Sequence, residues 1–406
     1  MPPLSATNED ANGAMNQHFD AIIVGGGMVG SALAAALGQG GFSVALVESG
    51  SEPGAIEDDA FDLRVSSLNL AAQRLLESVG AWSHIPAERR CIFRHIHAWD
   101  ISGHGETHFD AAALGLDDFG SFVENRVIRR ALWRCLASLP GVEPICQTRP
   151  LAMITGSDRV LVELDNGRLI SGSLVVGADG ARSTIRELAG IKVDALDYGQ
   201  RALIVNVVTQ LPQQDVSWQR FTPEGPQAML PLPGPHASLV WYGEPEATRA
   251  REALSDEALR QTIEREFPAR LGGLKAVTGR ASFPIRRQHA RHYTASRLAL
   301  VGDAAHVIHP LAGQGLNLGL QDVTALADLL ATAHTTKHGD LGAPGPLRRY
   351  AWQRRPQTLA MIAATEAFHR VFTGSPMLRS AGAAGLAVAE RLGPAKNLMM
   401  RRALGI

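Results

Sequence analysis

The amino-acid sequence predicts an α/β protein. A parallel sheet with covering helices is interleaved with a second, mostly antiparallel sheet, and a helical region ends the chain. Three observations carry this reading. Residues 21–48 run strand, glycine turn, helix, strand, the unit from which parallel sheets are wound. Residues 200–243 hold strand-like runs broken by proline and glycine. Residues 343–406 are helical in pattern, with glycine and proline breaks.

Residues 21–48 organise the rest. Ala21-Ile22-Ile23-Val24 is an apolar run that reads as a buried strand. Gly25, Gly27 and Gly30 follow at the spacing G-x-G-x-x-G, with Met28 and Val29 inside the last interval. Ser31 to Leu37 is rich in Ala and Leu, as a helix is, and Gly40-Gly41 ends it. Phe42 to Val47 forms the second strand, and Glu48 stands at its end, 18 positions beyond Gly30. Each part has a physical task. Gly25 permits the tight turn, Gly27 lets a pyrophosphate approach the backbone, and Gly30 lets helix and strand lie close. The helix start offers N–H groups and partial positive charge to phosphates. Glu48 accepts hydrogen bonds from a ribose diol. The placement between strand and helix makes the unit Rossmann-like; the alternative is a ligand-free Ala/Gly-rich βαβ unit.

Composition narrows the function. The 406 residues suffice for two or three domains. The formal net charge of −1 gives no global field for nucleic acid. The three cysteines, Cys91, Cys135 and Cys146, have no metal-ligand spacing and suit a reducing compartment. Residues 1–18 carry Asn8, Glu9 and Asp10 without an apolar core, and read as a disordered leader rather than a secretory signal. No apolar run of about 18 residues occurs, so no transmembrane helix is expected.

Further along, residues 49–63 form an acidic loop ahead of Arg64. Arg64 either reaches the phosphates at the glycine turn or pairs with these acids. A helix is expected from Asn69 to Val79, with Leu68, Ala72, Leu75, Leu76 and Val79 on one face. Residues 91–112 alternate polar and apolar, as strands of the second sheet do. Their histidines, His95, His97, His104 and His108, read as solvent-side residues, not metal ligands. Residues 123–139 form an amphipathic helix whose arginines, Arg126, Arg129, Arg130 and Arg134, lie mostly off its apolar stripe. Asp165-Asn166-Gly167 turns a hairpin. Its second strand ends in Gly177-Ala178-Asp179-Gly180, directly ahead of a helix from Thr184 to Leu188. Asp179 sits where open α/β sheets bind ligands, or else is a turn or cap residue. A helix is expected over 248–270, and residues 280–293 are basic.

Residues 297–322 form the second anchor. Leu298 to Val301 reads as a strand that ends at Gly302-Asp303. A loop with Pro310, Gly313 and Gly315 then delivers a helix near Gln314. This is another helix start behind a glycine loop. His306 and His309 lack a third metal ligand. Residues 367–406 hold six basic residues and one acid, with apolar stretches at 381–389 and Leu398-Met399-Met400. This tail lies on an anionic membrane or a partner, or is an ordinary helix pair.

Gly25–Glu48, Gly177–Ser183 and Gly302–Asp322 occur in this order. The chain thereby resembles the flavoprotein monooxygenases of the para-hydroxybenzoate hydroxylase type. The resemblance implies that Gly25, Gly27, Met28, Val29, Gly30 and Glu48 bind the ADP part of FAD. It implies that Arg64 lies near the FAD phosphates, that Asp179-Gly180 serves both FAD and NAD(P)H, and that Gly302-Asp303 contacts the ribityl chain. Finer features are similar to the ubiquinone-biosynthesis hydroxylases: Asp62-x-Arg64, Val123-Glu124-Asn125, Gly225-Pro226-x-Ala228-Met229-Leu230-Pro231, Ser238-Leu239-Val240-Trp241, Gly302 to His306, and Gly313-Gln314-Gly315-Leu316-Asn317. Asn125, Pro310, Gly313, Gly315, Leu316 and Asn317 then join the cofactor site.

By this resemblance the FAD-binding domain is discontinuous, over 19–90, 115–195 and 280–345. The substrate-binding sheet spans 91–114 and 196–279, and residues 346–406 are C-terminal helices. The implied activity is hydroxylation of a polyprenylated phenol in ubiquinone biosynthesis, through a flavin C4a-hydroperoxide formed from NAD(P)H and O2. The helix start at Gly315 stabilises negative charge at the flavin N1/C2 region. No side chain is singled out as a general base. The expected location is cytoplasmic, on the inner face of the cytoplasmic membrane or in a ubiquinone-biosynthesis complex. Hydroxylation of a soluble aromatic acid, or non-catalytic carriage of a prenyl lipid, are the alternatives.

Overall fold

His18–Val24 is the centre of the first sheet, and its inner part, Ala21 to Val24, is apolar and buried because helices cover both faces there. In the computed structural model, which describes residues 17–56, 60–212, 214–268, 270, 272–335, 340–391 and 393–404, this strand pairs parallel with Val44–Glu48 and with Leu169–Gly177. Val142–Cys146 and Leu298–Leu300 extend the sheet outward, also parallel. The Asn-Gly hairpin adds Val160–Leu164 antiparallel to Leu169–Gly177. The strand begins at His18, three residues before the apolar run, because its backbone pairs with Ser171 regardless of side chain. The expected leader, 1–18, overlaps the strand by one residue on this account; residues 1–16, and Glu57, Asp58 and Asp59 of the acidic loop, lie outside the described residues.

The helices are α1 (Met28–Gln39), α2 (Leu70–Ser78), α3 (Asn125–Leu136), α4 (Thr184–Leu188), α5 (Pro245–Glu252), α6 (Asp256–Glu266), α7 (Gly315–His334), α8 (Pro344–Thr373), α9 (Pro376–Arg391) and α10 (Gly393–Leu404). Three differ from expectation, the first and third through capping. Asn69 is the cap of α2 rather than its first residue, its Oδ1 accepting from the Ala72 N–H at 2.9 Å. Val123 and Glu124 are strand, and α3 starts only at Asn125. The single helix expected over 248–270 breaks at Ser255, whose Oγ caps α6.

The second sheet runs, edge to edge, His306–Val307, Leu274–Ala290, Val193–Thr209, His236–Gly243, Gly225–Leu232, Val216–Thr222, His95–Asp100 and Glu106–Asp110. Only Val216–Thr222 and His95–Asp100 pair parallel in it. The basic stretch 280–293 lies largely within the long strand Leu274–Ala290. That strand and Val193–Thr209 run through residues 280 and 196, so the chain passes between regions on continuous strands. Cys91–Phe93 departs from the expectation for 91–112. It joins Gly120–Glu124 and Val65–Asn69 in a small third sheet lying between the other two.

Alternation gives the two faces of the second sheet different fates. Leu203, Val205, Trp218, Met229, Leu239 and Trp241 are fully buried under Leu259, Ile263 and Phe267 of the α6 region. The opposite face is buried at Ala202, Ile204, Phe221, Ser238 and Tyr242 but carries a half-buried patch, Ala98, Gln219, Ala228, Leu230 and Val240. Asn206 shares that face, and its Nδ2 donates to the Phe61 and Asp62 carbonyls at 3.1 Å. The half-open face therefore looks toward the first sheet. Phe372 and Leu386 of α8 and α9 close one end of it over Phe221 and Leu311. Among the described residues no helix is long and apolar enough to cross a membrane.

Candidate functional site

The first glycine turn is fixed by backbone contact. Gly25 has φ +110°, and its N–H donates to the Val47 carbonyl at 2.7 Å. A Cβ at Gly25 would lie 2.4 Å from the Ala178 carbonyl oxygen, and one at Gly30 would lie 1.9 Å from that of Gly25. Neither has room for a side chain. Gly27 is the opposite case: nothing lies within 4 Å of where its Cβ would stand. Gly27 is the N-cap of α1 and carries no side chain to cap it, which leaves the first-turn N–H groups of Met28, Val29 and Gly30 without a side-chain cap.

Gly26 is held at both ends. Its N–H donates to Glu48 Oε2 at 2.6 Å, and its carbonyl accepts from Trp133 Nε1 and Arg129 Nε, each at 2.9 Å. Glu48 Oε1 takes the Gly50 N–H at 2.8 Å. Glu48 thus braces the turn, with Arg129 3.8 Å from its Oε2 and the Ser49 hydroxyl 3.4 Å from its Oε1. Trp133 and Arg129 were beyond the sequence reading, because α3 has no local signal that its side chains reach a loop about a hundred residues earlier.

The second turn is fixed by side chains. Gly302, at φ +58°, donates its N–H to Asp322 Oδ2 at 3.0 Å. The fully buried Asp322 also pairs with His306 Nε2 at 2.6 Å and Arg354 Nε at 2.7 Å. Burial pushes the Asp322 carboxyl up, but His306 and Arg354 beside it, with their hydrogen bonds, outweigh that and hold it below its usual range. Gly315 starts α7 as Gly27 starts α1, with no side-chain cap and nothing within 4 Å of its missing Cβ. Gly313, at φ +64°, donates its N–H to the Pro310 carbonyl at 3.2 Å, and Leu316 follows in the first turn of α7. Asn317 is buried, donating to the Ser67 carbonyl at 2.8 Å and accepting from the Asn69 N–H at 3.1 Å.

The two turns adjoin. Val29 of α1 packs between them: a Cβ at Gly302 would meet it at 3.1 Å and one at Gly319 at 2.8 Å. Asp303 is open to solvent yet sits low in this cleft, since surrounding protein pushes its carboxyl up while His306 and Arg64 pull it down. Arg64 is exposed, and among the described residues no carboxylate pairs with its guanidinium. Its carbonyl takes the Asn125 N–H at 2.8 Å, and Asn125 Oδ1 takes the Ser66 hydroxyl at 2.6 Å. Asp179 Oδ2 caps α4 through the Ile185 N–H at 3.1 Å, while its Oδ1 is buried with no partner. Gly180, at φ +80°, opens onto empty space. Arg186 ties this segment to the second turn, donating to the Ala181 and Ala304 carbonyls at 2.8 and 2.9 Å.

The histidines correct the sequence reading. His97 is buried, not solvent-side, stacked between Trp99 and His108. His97, Glu106 and His108 bring ligand-type atoms within 4.8 Å of one another. A metal lies in the plane of each imidazole that binds it, and these rings are near-parallel at 15° and 3.7 Å apart. Arg270 also donates to His97 Nδ1, which leaves the proton on the nitrogen facing Glu106. The arrangement is a stacked hydrogen-bonded pair rather than a metal centre. His306 belongs to Asp322, and His309 is buried among Tyr198, Tyr242 and His369.

An extended dinucleotide flavin fits these residues. Two uncapped helix starts, two glycines with room above them and the orphaned Asp179 oxygen border one cleft. The FAD binding domain family matches residues 18–365. The 3-demethoxyubiquinol 3-hydroxylase of Escherichia coli is 40% identical, covering 96% of this chain and all of that protein. The ubiquinone hydroxylase UbiL of Rhodospirillum rubrum is 39% identical over 99% of this chain and 93% of its own. Among solved structures, the probable FAD-dependent monooxygenase PqsL of Pseudomonas aeruginosa is similar at TM-score 0.72 and 26% identity, covering 90% of this chain and 99% of that one. The chain therefore belongs to the FAD-binding monooxygenases, enzymes that use FAD with NAD(P)H, and within them to the ubiquinone-biosynthesis hydroxylases.

Proposed function

We propose that this FAD-dependent hydroxylase acts on the aromatic ring of a polyprenylated phenol, with the ring held between the second glycine turn and the half-open face of the second sheet. The observation that supports this most is the contrast between the two faces of that sheet. One is shut with tryptophan, leucine and phenylalanine, whereas on the other a patch of small and aliphatic residues, Ala98, Ala228, Leu230 and Val240, is only half covered by protein. An apolar concavity beside a cofactor cleft suits a substrate with a long hydrocarbon tail.

When bound, FAD supplies reduction by NAD(P)H and activation of O2; the chain's residues position and shelter that chemistry. The N–H groups of Met28, Val29 and Gly30 would hold the pyrophosphate, and Glu48 a ribose hydroxyl, while it braces Gly26. Arg64 would meet the phosphates and Asp303 the ribityl hydroxyls, with Asp179-Gly180 closing the same side. The start of α7 at Gly315-Leu316 would place its partial positive charge against the ring system. Asn125 and Asn317 would act through others, since both side chains are engaged in holding the strand Val65–Asn69 in place. Pro310 and Gly313 would shape the loop above the ring, and Leu311 with Phe372 would exclude water.

Mass spectrometry of quinone precursors in cells lacking the protein tests this reading. Accumulation of a prenylated phenol lacking one ring oxygen is expected. An unchanged precursor profile, together with rapid hydroxylation of soluble aromatic acids by the purified enzyme, overturns it. The enzyme would collect this substrate at the inner surface of the cytoplasmic membrane, or from a complex that carries it.

A further inference from the structure

Two helices at the C-terminal end are apolar on the wrong side. Leu347, Tyr350, Ile362 and Phe372 bury one side of α8. The opposite ridge, at helical spacing, is Arg349, Trp352, Leu359, Ala363, Ala367 and Arg370, all exposed. Trp352 is 86% exposed. The pattern recurs in α9, where Ala383 and Leu386 point inward while Met377, Ala381, Ala384, Val388 and Arg391 are exposed. Met377 is 79% exposed.

Charge adds a second constraint. Residues 344–391 hold seven arginines and two glutamates. Both glutamates are engaged within the protein. Glu366 pairs with Arg287 and Arg370, and Glu390 pairs with Lys396 while accepting from Thr107 and His108. The outward ridges therefore carry apolar side chains bounded by arginines, and the one carboxylate beside them, Glu366, is already shared between Arg287 and Arg370.

We propose that the outer ridges of α8 and α9 seat the protein on an anionic lipid bilayer. Trp352, Leu359, Met377 and Val388 enter the interface, and Arg349, Arg370 and Arg391 meet the lipid phosphates. A row of apolar residues bounded by cations matches a polyanionic apolar surface. This keeps Arg370, Arg391 and the apolar stretch 381–389 of the expected membrane contact, extends it back along α8 and removes α10 from it. Of the tail residues first considered, Lys396 donates to the His108 carbonyl, Arg401 donates to that of Leu114, and Met400 packs on the cluster around Phe93 and Phe119. α10 is thus turned inward on the protein; the side chains of Leu398, Met399 and Arg402 lie outside the described residues. The inner sides of α8 and α9 cover Phe221 and Leu311. A bilayer on their outer sides is separated from the half-open sheet face by about one helix diameter, roughly 10 Å. The inference deepens the proposed function, since a prenylated substrate is reached from a bilayer.

The test is flotation of the FAD-loaded full chain, without substrate, on phosphatidylcholine vesicles with and without phosphatidylglycerol. The protein is expected to float with the anionic vesicles and to dissociate as salt rises. The variant Trp352→Ser/Met377→Ser/Val388→Ser is expected to bind at least about tenfold more weakly. Arg349→Gln/Arg370→Gln/Arg391→Gln is expected to lose the preference for phosphatidylglycerol, each arginine being worth about fivefold. Flavin absorbance in both variants confirms folding. Failure of the wild type to float, equal flotation by both variants, or a wild-type dimer that the apolar variant dissociates overturns the proposal. Flotation is independent of which ring is hydroxylated, so it stands or falls apart from the precursor measurement.

Discussion

At the first glycine turn the fixing contacts are backbone atoms a few ångströms from Gly25 and Gly30. At the second turn they are side chains drawn from α7 and α8, with Asp322 and Arg354 holding Gly302 from 20 and 52 positions away. Both turns leave an open helix start, at Gly27 and at Gly315. Elsewhere, α2, α4 and α6 have their own caps in Asn69, Ser183 and Ser255. The difference teaches that an anion site can be built locally, by steric necessity, or remotely, by a buried ionic network. Damage should therefore spread differently from each.

The largest effect is expected at a distance. Arg354→Met removes the guanidinium from the buried Asp322 carboxylate, leaving only His306 paired with it among the described residues, and should cost about 3–5 kcal/mol. Urea unfolding of the apoprotein checks this; an unchanged midpoint would mean that the second turn does not depend on α8. Next comes Gly30→Ala, whose methyl would strike the Gly25 carbonyl and should cost about 1–3 kcal/mol through overpacking. Gly27→Leu sharpens the contrast within one turn. Its side chain meets empty space, so apoprotein melting should hold, while FAD affinity falls by at least about tenfold, near 1.4 kcal/mol. Fluorescence titration of FAD separates these two glycines.

Per pH unit, the smallest expected effect is acid sensitivity. Burial pushes His309 and His289 down to about 4, with His369 adding to the first and Arg355 to the second. Unfolded histidine takes its proton below pH about 6.5, whereas these resist until about 4. Stability is whole above pH 6.5 and is lost as pH falls toward 4, by about 1.4 kcal/mol per pH unit for each histidine. His309→Gln should remove one such share of the slope between pH 6 and 5. A slope equal to the wild type's in urea midpoints would place the acid-sensitive groups elsewhere.

Much of this was legible in the chain. The spacing of Gly25, Gly27 and Gly30 states a local steric problem with one kind of solution, and the apolar first strand identifies the sheet it belongs to. The Asn-Gly hairpin and the open start of α7 were equally local. The roles of Trp133, Arg129 and Arg186 were not, because the partner of each is a backbone carbonyl that sequence pattern cannot locate. His97 was misjudged for the same reason, since its burial depends on Trp99 and Arg270 meeting across separate elements.

The sequence by itself determined the parallel sheet, the two glycine-led helix starts and the kind of ligand they suit. These follow from residue spacing along a few turns of chain, where sterics and hydrogen bonding act over short range. The tertiary structure alone decided that the turns share a cleft through Val29, that one sheet face stays half open, and that α8 and α9 turn apolar ridges outward. Those outcomes depend on which distant surfaces bury one another, and burial is a property of the packed whole.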